Sequence, residues 1–218
     1  MSDIATMRVE KTIKTLARKR EEYAEDESPF RNFYNGAVML GKTPMETAWG
    51  YATKHFVSIQ DMAEGRKKIT KELIDEKFGD AICYLVLILA MHLPQKLDQD
   101  KMREAEKMFQ SHNYEGFIHR ASYETMKESA SYHSKTPAER MWEWIEVCLN
   151  ELIAAEIADP KGGESMVMSS TPWEIQRLID DLITLEALMT YEAFDPRDNS
   201  YKEMASKPDP HYSKPDIV

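Results

Sequence analysis

The chain has 218 residues, 42% of them hydrophobic, with 28 Lys and Arg against 38 Asp and Glu, a formal net charge of −10. That is enough chain and apolar content for one large helical domain or two small ones. The negative balance would repel a phosphate backbone or an anionic membrane surface, so neither nucleic acid nor a membrane is an expected partner. The N-terminal MSDIATMRVEKTIKTLARKR carries an early acid and no apolar run, and reads as the start of a folded helix and not as an export signal. A soluble protein of the cytoplasm is therefore expected.

In chain order, residues 4–25 place Val9, Ile13, Leu16, Ala17, Arg20 and Ala24 at helical spacing, which predicts a first amphipathic helix. After Ser28-Pro29, the segment PFRNFYNGAVMLG contains Asn35-Gly36 and Gly41, and predicts a loop or short helical turns. Thr43-Pro44 then opens a helix: a threonine hydroxyl accepts an otherwise unpaired amide and proline already has the helical φ. The same signal recurs at Thr136-Pro137 and Thr171-Pro172. The three segments that follow carry Ala48/Ala52/Phe56/Ile59, Met141/Ile145/Leu149/Leu152 and Ile175/Ile179/Leu182/Met189 as their apolar stripes.

Thr70 is a further cap, and the segment from Glu72 to Leu93 runs without proline until Pro94. Its apolar part, Ala81 to Leu93, is too short to cross a bilayer and is expected to be a core helix. Shorter helices are expected around Met102–Phe109 and Phe117–Met126, and the proline-containing segment from Asp195 is expected to trail over the surface. The organisation predicted is an all-α helical bundle with an N-terminal half at 1–94, a C-terminal half at 95–194 and a tail at 195–218. The echo of GKTPMETAWGY in SKTPAERMWEW raises an internal duplication, although common helix-start chemistry also accounts for it.

Phosphate-binding glycine loops, a nucleophile elbow, HExxH and zinc spacings are all absent from the sequence. Cys83 and Cys148 lie in apolar helical patterns without a CxxC neighbour and are expected to pack as reduced thiols. His55 falls at the border of an apolar face and reads as a packed histidine. What remains is a stripe of acids: Glu72, Glu76 and Asp80 recur every four residues and so share one side of their helix. The stripe continues into Cys83 and Leu87, which carries the acids toward a buried surface. There they need a countercharge, supplied by a hard cation such as Mg²⁺ or by bases such as Arg20 and Arg31. A solvated acidic first turn that suits the helix dipole is the alternative, better for Glu72 than for Asp80.

KREEYAEDESPFRNF, TAWGYATKHFVSIQDM and ELIDEKFGDAICYLVLIL resemble the nucleotide modification associated domain of phage proteins, a branch of the MazG-like all-α NTP pyrophosphatases. The resemblance covers about residues 8–92 and rests on Tyr23, Asn32-Phe33, Lys54 and the segment Asp80–Tyr84. It implies a helical bundle that holds Mg²⁺ on carboxylates of two helices, grips a nucleoside triphosphate and cleaves it to monophosphate and pyrophosphate, in the host cytoplasm if phage-encoded. The implied metal ligands are Glu72 and Asp80 with Glu21, Glu22 and Glu25. Glu76 would be the catalytic carboxylate, and Lys54, Tyr23 and Asn32 would bind substrate. The spacing departs from the family pattern, since a loop and a whole helix separate Glu25 from Glu72.

The expectation is thus a Mg²⁺-dependent nucleotide pyrophosphohydrolase. The alternative is a non-catalytic helical module that binds proteins or senses nucleotides, for which 14 methionines and Trp49, Trp142 and Trp144 offer adaptable surface. A homo-oligomer, most simply a dimer, is expected because the helix containing Ala81–Met91 is apolar almost all round and must be covered by a second protomer or by the C-terminal half.

Overall fold

In the structure, a computed structural model, residues 2–23, 28–112, 136–158 and 171–194 are described, without the side chains of 2, 3, 21–23, 156–158, 171 and 191. They form seven helices: α1 Ser2–Tyr23, α2 Arg31–Leu40, α3 Pro44–Ala63, α4 Lys71–His92, α5 Asp98–Ser111, α6 Pro137–Ala158 and α7 Thr171–Ala193. Among the described residues there is no strand, and the fold is all-α. The expected helix at Phe117–Met126, the tail from Asp195, Ala24 and Glu25 lie outside the described residues.

The caps account for where the helices begin. Thr43 accepts from the Glu46 amide at 3.1 Å while the Glu46 carboxylate accepts from the Thr43 amide at 2.7 Å, a reciprocal capping box ahead of Pro44. Thr136 and Glu139 repeat it at the start of α6, and the Thr70 hydroxyl accepts from the Leu73 amide at the start of α4. Both echoed segments thus open on the same capping box. α4 ends at His92, before Pro94, as its sequence predicts.

α4 is the centre of the bundle. It packs on α1, α3, α5 and α7, and Ala81, Ile82, Leu85, Val86, Ile88, Leu89 and Ala90 are fully buried. The apolar circumference that suggested a second protomer is covered inside the chain by α5 and α7. One continuous core runs from Ala5 of α1 to Met189 of α7, and none of the described helices is long and apolar enough to cross a membrane.

Two elements differ from expectation. The segment read as a loop is a ten-residue helix, α2, which runs through Asn35-Gly36 and stops at Gly41 in the left-handed region, with φ at 65°. Gly36 is there for packing: a Cβ on it would come within 2.6 Å of the Tyr51 hydroxyl and 2.8 Å of Thr47 Cγ2 on α3. On α1 the buried face is Ala5, Arg8, Thr12 and Leu16, whereas Val9, Ile13 and Ala17 are only partly buried. The stripe is rotated because Arg8 is an inward partner of a carboxylate. It donates to Glu186 of α7 from Nε at 2.8 Å and from Nη2 at 2.5 Å, and also to Asp75 of α4 at 3.1 Å. Lys11 completes the group on Asp75.

Candidate functional site

A cavity of about 570 Å³ opens between α1, α2, α4 and α5, within the range of small-molecule sites. Each wall follows from local structure. Lys19 and Arg20 follow the buried Leu16 by three and four residues, so α1 turns them to the same side. α2 contributes Arg31, Asn32, Phe33, Asn35 and Gly36, and the close approach at Gly36 sets Tyr51 of α3 into the wall. α4 supplies Cys83, Tyr84 and Leu87, and α5 supplies Gln99, Met102 and Glu106. Phe33 joins the two tyrosines, its ring 6.0 Å from Tyr51 and 6.2 Å from Tyr84. Among the described residues, three cationic side chains and one carboxylate therefore face a space with aromatic walls and amide donors. Arg20 pairs with that carboxylate, Glu106, at 2.9 Å.

The acid stripe of α4 leads to this cavity. Glu72 is exposed in the first turn, the Glu76 side chain is 34% exposed and that of Asp80 25%, and the next residues on the same side, Cys83, Tyr84 and Leu87, line the cavity. Glu76 accepts from Lys77 Nζ at 2.5 Å. Oδ2 of Asp80 lies 3.3 Å from Nδ1 of His55 on α3, and the imidazole stacks at 30° on Tyr84 with ring centres 5.4 Å apart. Burial, followed by the charges of Lys54 and Lys77, pushes the His55 pKa down to about 4, so the ring is neutral at pH 7. Burial also pushes the Cys83 thiol up to about 11, which leaves it protonated and unreactive despite its place in the wall. Both cysteines are free.

Of the residues proposed from sequence, Asn32 lines the cavity. Asp80 sits one turn before that wall, Glu76 one turn further back, and Glu72 is a solvated acid at the helix start, where it complements the dipole. Lys54 is exposed on α3 beside His55 and is not among the lining residues. Arg20 and Arg31, considered as partners for the acids, belong to the cavity, where Arg20 is engaged by Glu106. The side chains of Glu21, Glu22 and Tyr23, and all of Glu25, lie outside the described residues.

Among the described residues no group of three or more His, Cys, Asp or Glu is placed to hold a metal ion. The donor chemistry of Glu76 and Asp80 nevertheless suits Mg²⁺, which binds through one or two carboxylates and completes its shell with water and substrate phosphate.

Sequence reading did not identify Lys19, Asn35, Tyr51, Tyr84 or Gln99 as cavity residues. The available signal was Arg20 standing on an apolar stripe of α1, a cation where a core residue belongs. It also missed a half-buried pair in the C-terminal half, where His112 Nε2 lies 2.7 Å from Oδ2 of the buried Asp180. No protein-family model, no curated protein and no solved structure matches the chain.

Proposed function

We propose that this chain is a Mg²⁺-dependent nucleoside triphosphate pyrophosphohydrolase, converting an NTP or dNTP to the monophosphate and pyrophosphate, in line with its resemblance to the MazG-like proteins. The observation that carries the reading is the meeting of two unlike surfaces: a cationic, aromatic-walled cavity of about 570 Å³ and the acid stripe of α4 that runs into its wall at Cys83 and Tyr84. Lys19, Arg20 and Arg31 offer charge to phosphates. Phe33, Tyr51 and Tyr84 offer rings to a base, and Asn32, Asn35 and Gln99 offer amides to its edge or to the sugar.

In the reaction, water attacks the α-phosphorus, the bond from that phosphorus to the bridging oxygen breaks, and pyrophosphate leaves with the electron pair. Asp80 would hold Mg²⁺ from the protein side. When bound, the ion neutralises charge on the phosphates and makes the attacking water more acidic. Glu76 takes the proton from the water, and the cavity cations stabilise the charge gathering on the leaving group.

Lys77 engages Glu76 at 2.5 Å, which favours a second reading, a nucleotide-binding module without turnover. Pyrophosphate release over a panel of natural and modified nucleoside triphosphates separates the two. The enzyme turns over at least one nucleotide with Mg²⁺ and none with EDTA. Asp80→Asn lowers turnover by about 100-fold or more, the scale of losing a group that stabilises transition-state charge, without lowering the melting temperature. Binding without release of pyrophosphate from any nucleotide would establish the module instead.

A further inference from the structure

His55 is 5% exposed, yet neither ring nitrogen has a hydrogen-bond partner. Buried polar atoms are normally paired, and one that is not calls for an explanation. A phenylalanine or leucine would pack against Tyr84 without leaving nitrogens unpaired, so packing alone gives no reason for an imidazole. Its surroundings give one. Nδ1 lies 3.3 Å from Asp80 Oδ2, a hydrogen-bonding distance at which only alignment is missing. The same ring rests on Tyr84, which lines the cavity. The imidazole therefore bridges the most buried acid of the α4 stripe to the cavity wall.

We propose that His55 is a positioning residue: it donates Nδ1–H to Oδ2 of Asp80 and sets that carboxylate at the cavity edge for a divalent cation arriving with a nucleotide's phosphates. This rests on the cation reading of Asp80 given above. A donor held rigidly in the core fixes the orientation of the oxygen it reaches. Partners that hold a ligand in this way typically change metal affinity by about 10- to 100-fold when removed.

The test uses the full chain and Mn²⁺ as the probe, alone and with a non-hydrolysable nucleoside triphosphate, followed by electron paramagnetic resonance. Asparagine places its amide N–H near the Nδ1 position, whereas glutamine reaches the Nε2 position and phenylalanine offers no donor. His55→Asn should keep Mn²⁺ affinity within about threefold of the wild type, while His55→Gln and His55→Phe weaken it by about tenfold or more. Long-range ¹⁵N–¹H correlation should show the Nδ1–H tautomer in the wild type. Equal Mn²⁺ affinity in wild type and His55→Phe, or in the Asn and Gln variants if the Phe variant does not fold, would overturn the inference. So would a dominant Nε2–H tautomer. A wild-type chain that takes up no Mn²⁺ under either condition would overturn the cation reading itself, and this inference with it.

Discussion

Arg8 and Glu186 are 3% and 0% exposed, and their ion pair joins the first described helix to the last. Removing two charges from water is costly, and their attraction offsets that cost only while both are present. Glu186→Leu alone should therefore destabilise the chain by about 3–5 kcal/mol, because Arg8 stays buried without the carboxylate that accepts from both its Nε and Nη2. Combining it with Arg8→Met should recover most of the loss in urea denaturation; a double variant as unstable as the single would show that the pair has a role apolar packing cannot replace. Gly79 belongs to the same design, since a Cβ there would lie 2.8 Å from Arg8 Nη1. Asp180 behaves differently. Burial pushes its pKa up to about 6, against the opposing influence of His112 and Gln176. The folded state thus binds a proton near pH 6 that the unfolded chain takes only near the ordinary value of about 3.9, and this group's contribution to stability falls as pH rises through 6. Asp180→Asn, which mimics the protonated acid, should be more stable than the wild type at pH 8 by an amount on the order of a few kcal/mol. Paired thermal melts should show the gap closing as pH falls below 5; a gap constant with pH would place the effect elsewhere.

α2 shows how a single residue governs an element and a site together. It lies close against α3 where residue 36 has no side chain, and the neighbours that a Cβ would strike, Tyr51 and Thr47, are a cavity wall and a buried helix residue. Gly36→Ala should push α2 outward or displace the Tyr51 ring, with a loss of stability of about 1–3 kcal/mol and weaker nucleotide binding by calorimetry. Unchanged binding would separate α2 from the site. The same element explains which parts of the fold were legible in sequence. Capped starts at Thr43, Thr70 and Thr136 depend on a few neighbouring residues, and the structure has each of them. Asn35-Gly36 read as a loop because glycine usually marks a turn; here it marks a close approach to residues 11 and 15 positions further on, which no local pattern records. The rotated stripe of α1 has the same origin, since the partner that makes Arg8 an inward residue lies 178 positions away.

At the scale of the molecule, the acid stripe could be read from α4 alone because its four-residue spacing is local, whereas the cavity is assembled from residues 16 to 106 and could not. A chain of net charge −10 keeps Lys19, Arg20 and Arg31 around one opening, with Glu106 the only acid among the described lining residues. That placement concentrates attraction for an anion at this cavity. The site also depends on both halves of the sequence. Residues 1–94 carry α1 to α4, but α5 and α7 form two of the four walls around α4, and α5 supplies Gln99, Met102 and Glu106 to the cavity. In isolation such a fragment would expose apolar side chains of α4 that are fully buried in the whole chain and leave Arg8 without Glu186. Exposed apolar surface of that kind drives association. The fragment 1–94 should therefore self-associate by sedimentation, lack a cooperative thermal transition and fail to bind nucleotide, and residues 95–218 added in trans should restore binding at least in part. A monomeric fragment that melts cooperatively and binds nucleotide would show instead that the N-terminal half is a folding unit by itself, with Lys19, Arg31, Asn32, Tyr51 and Tyr84 sufficient for recognition.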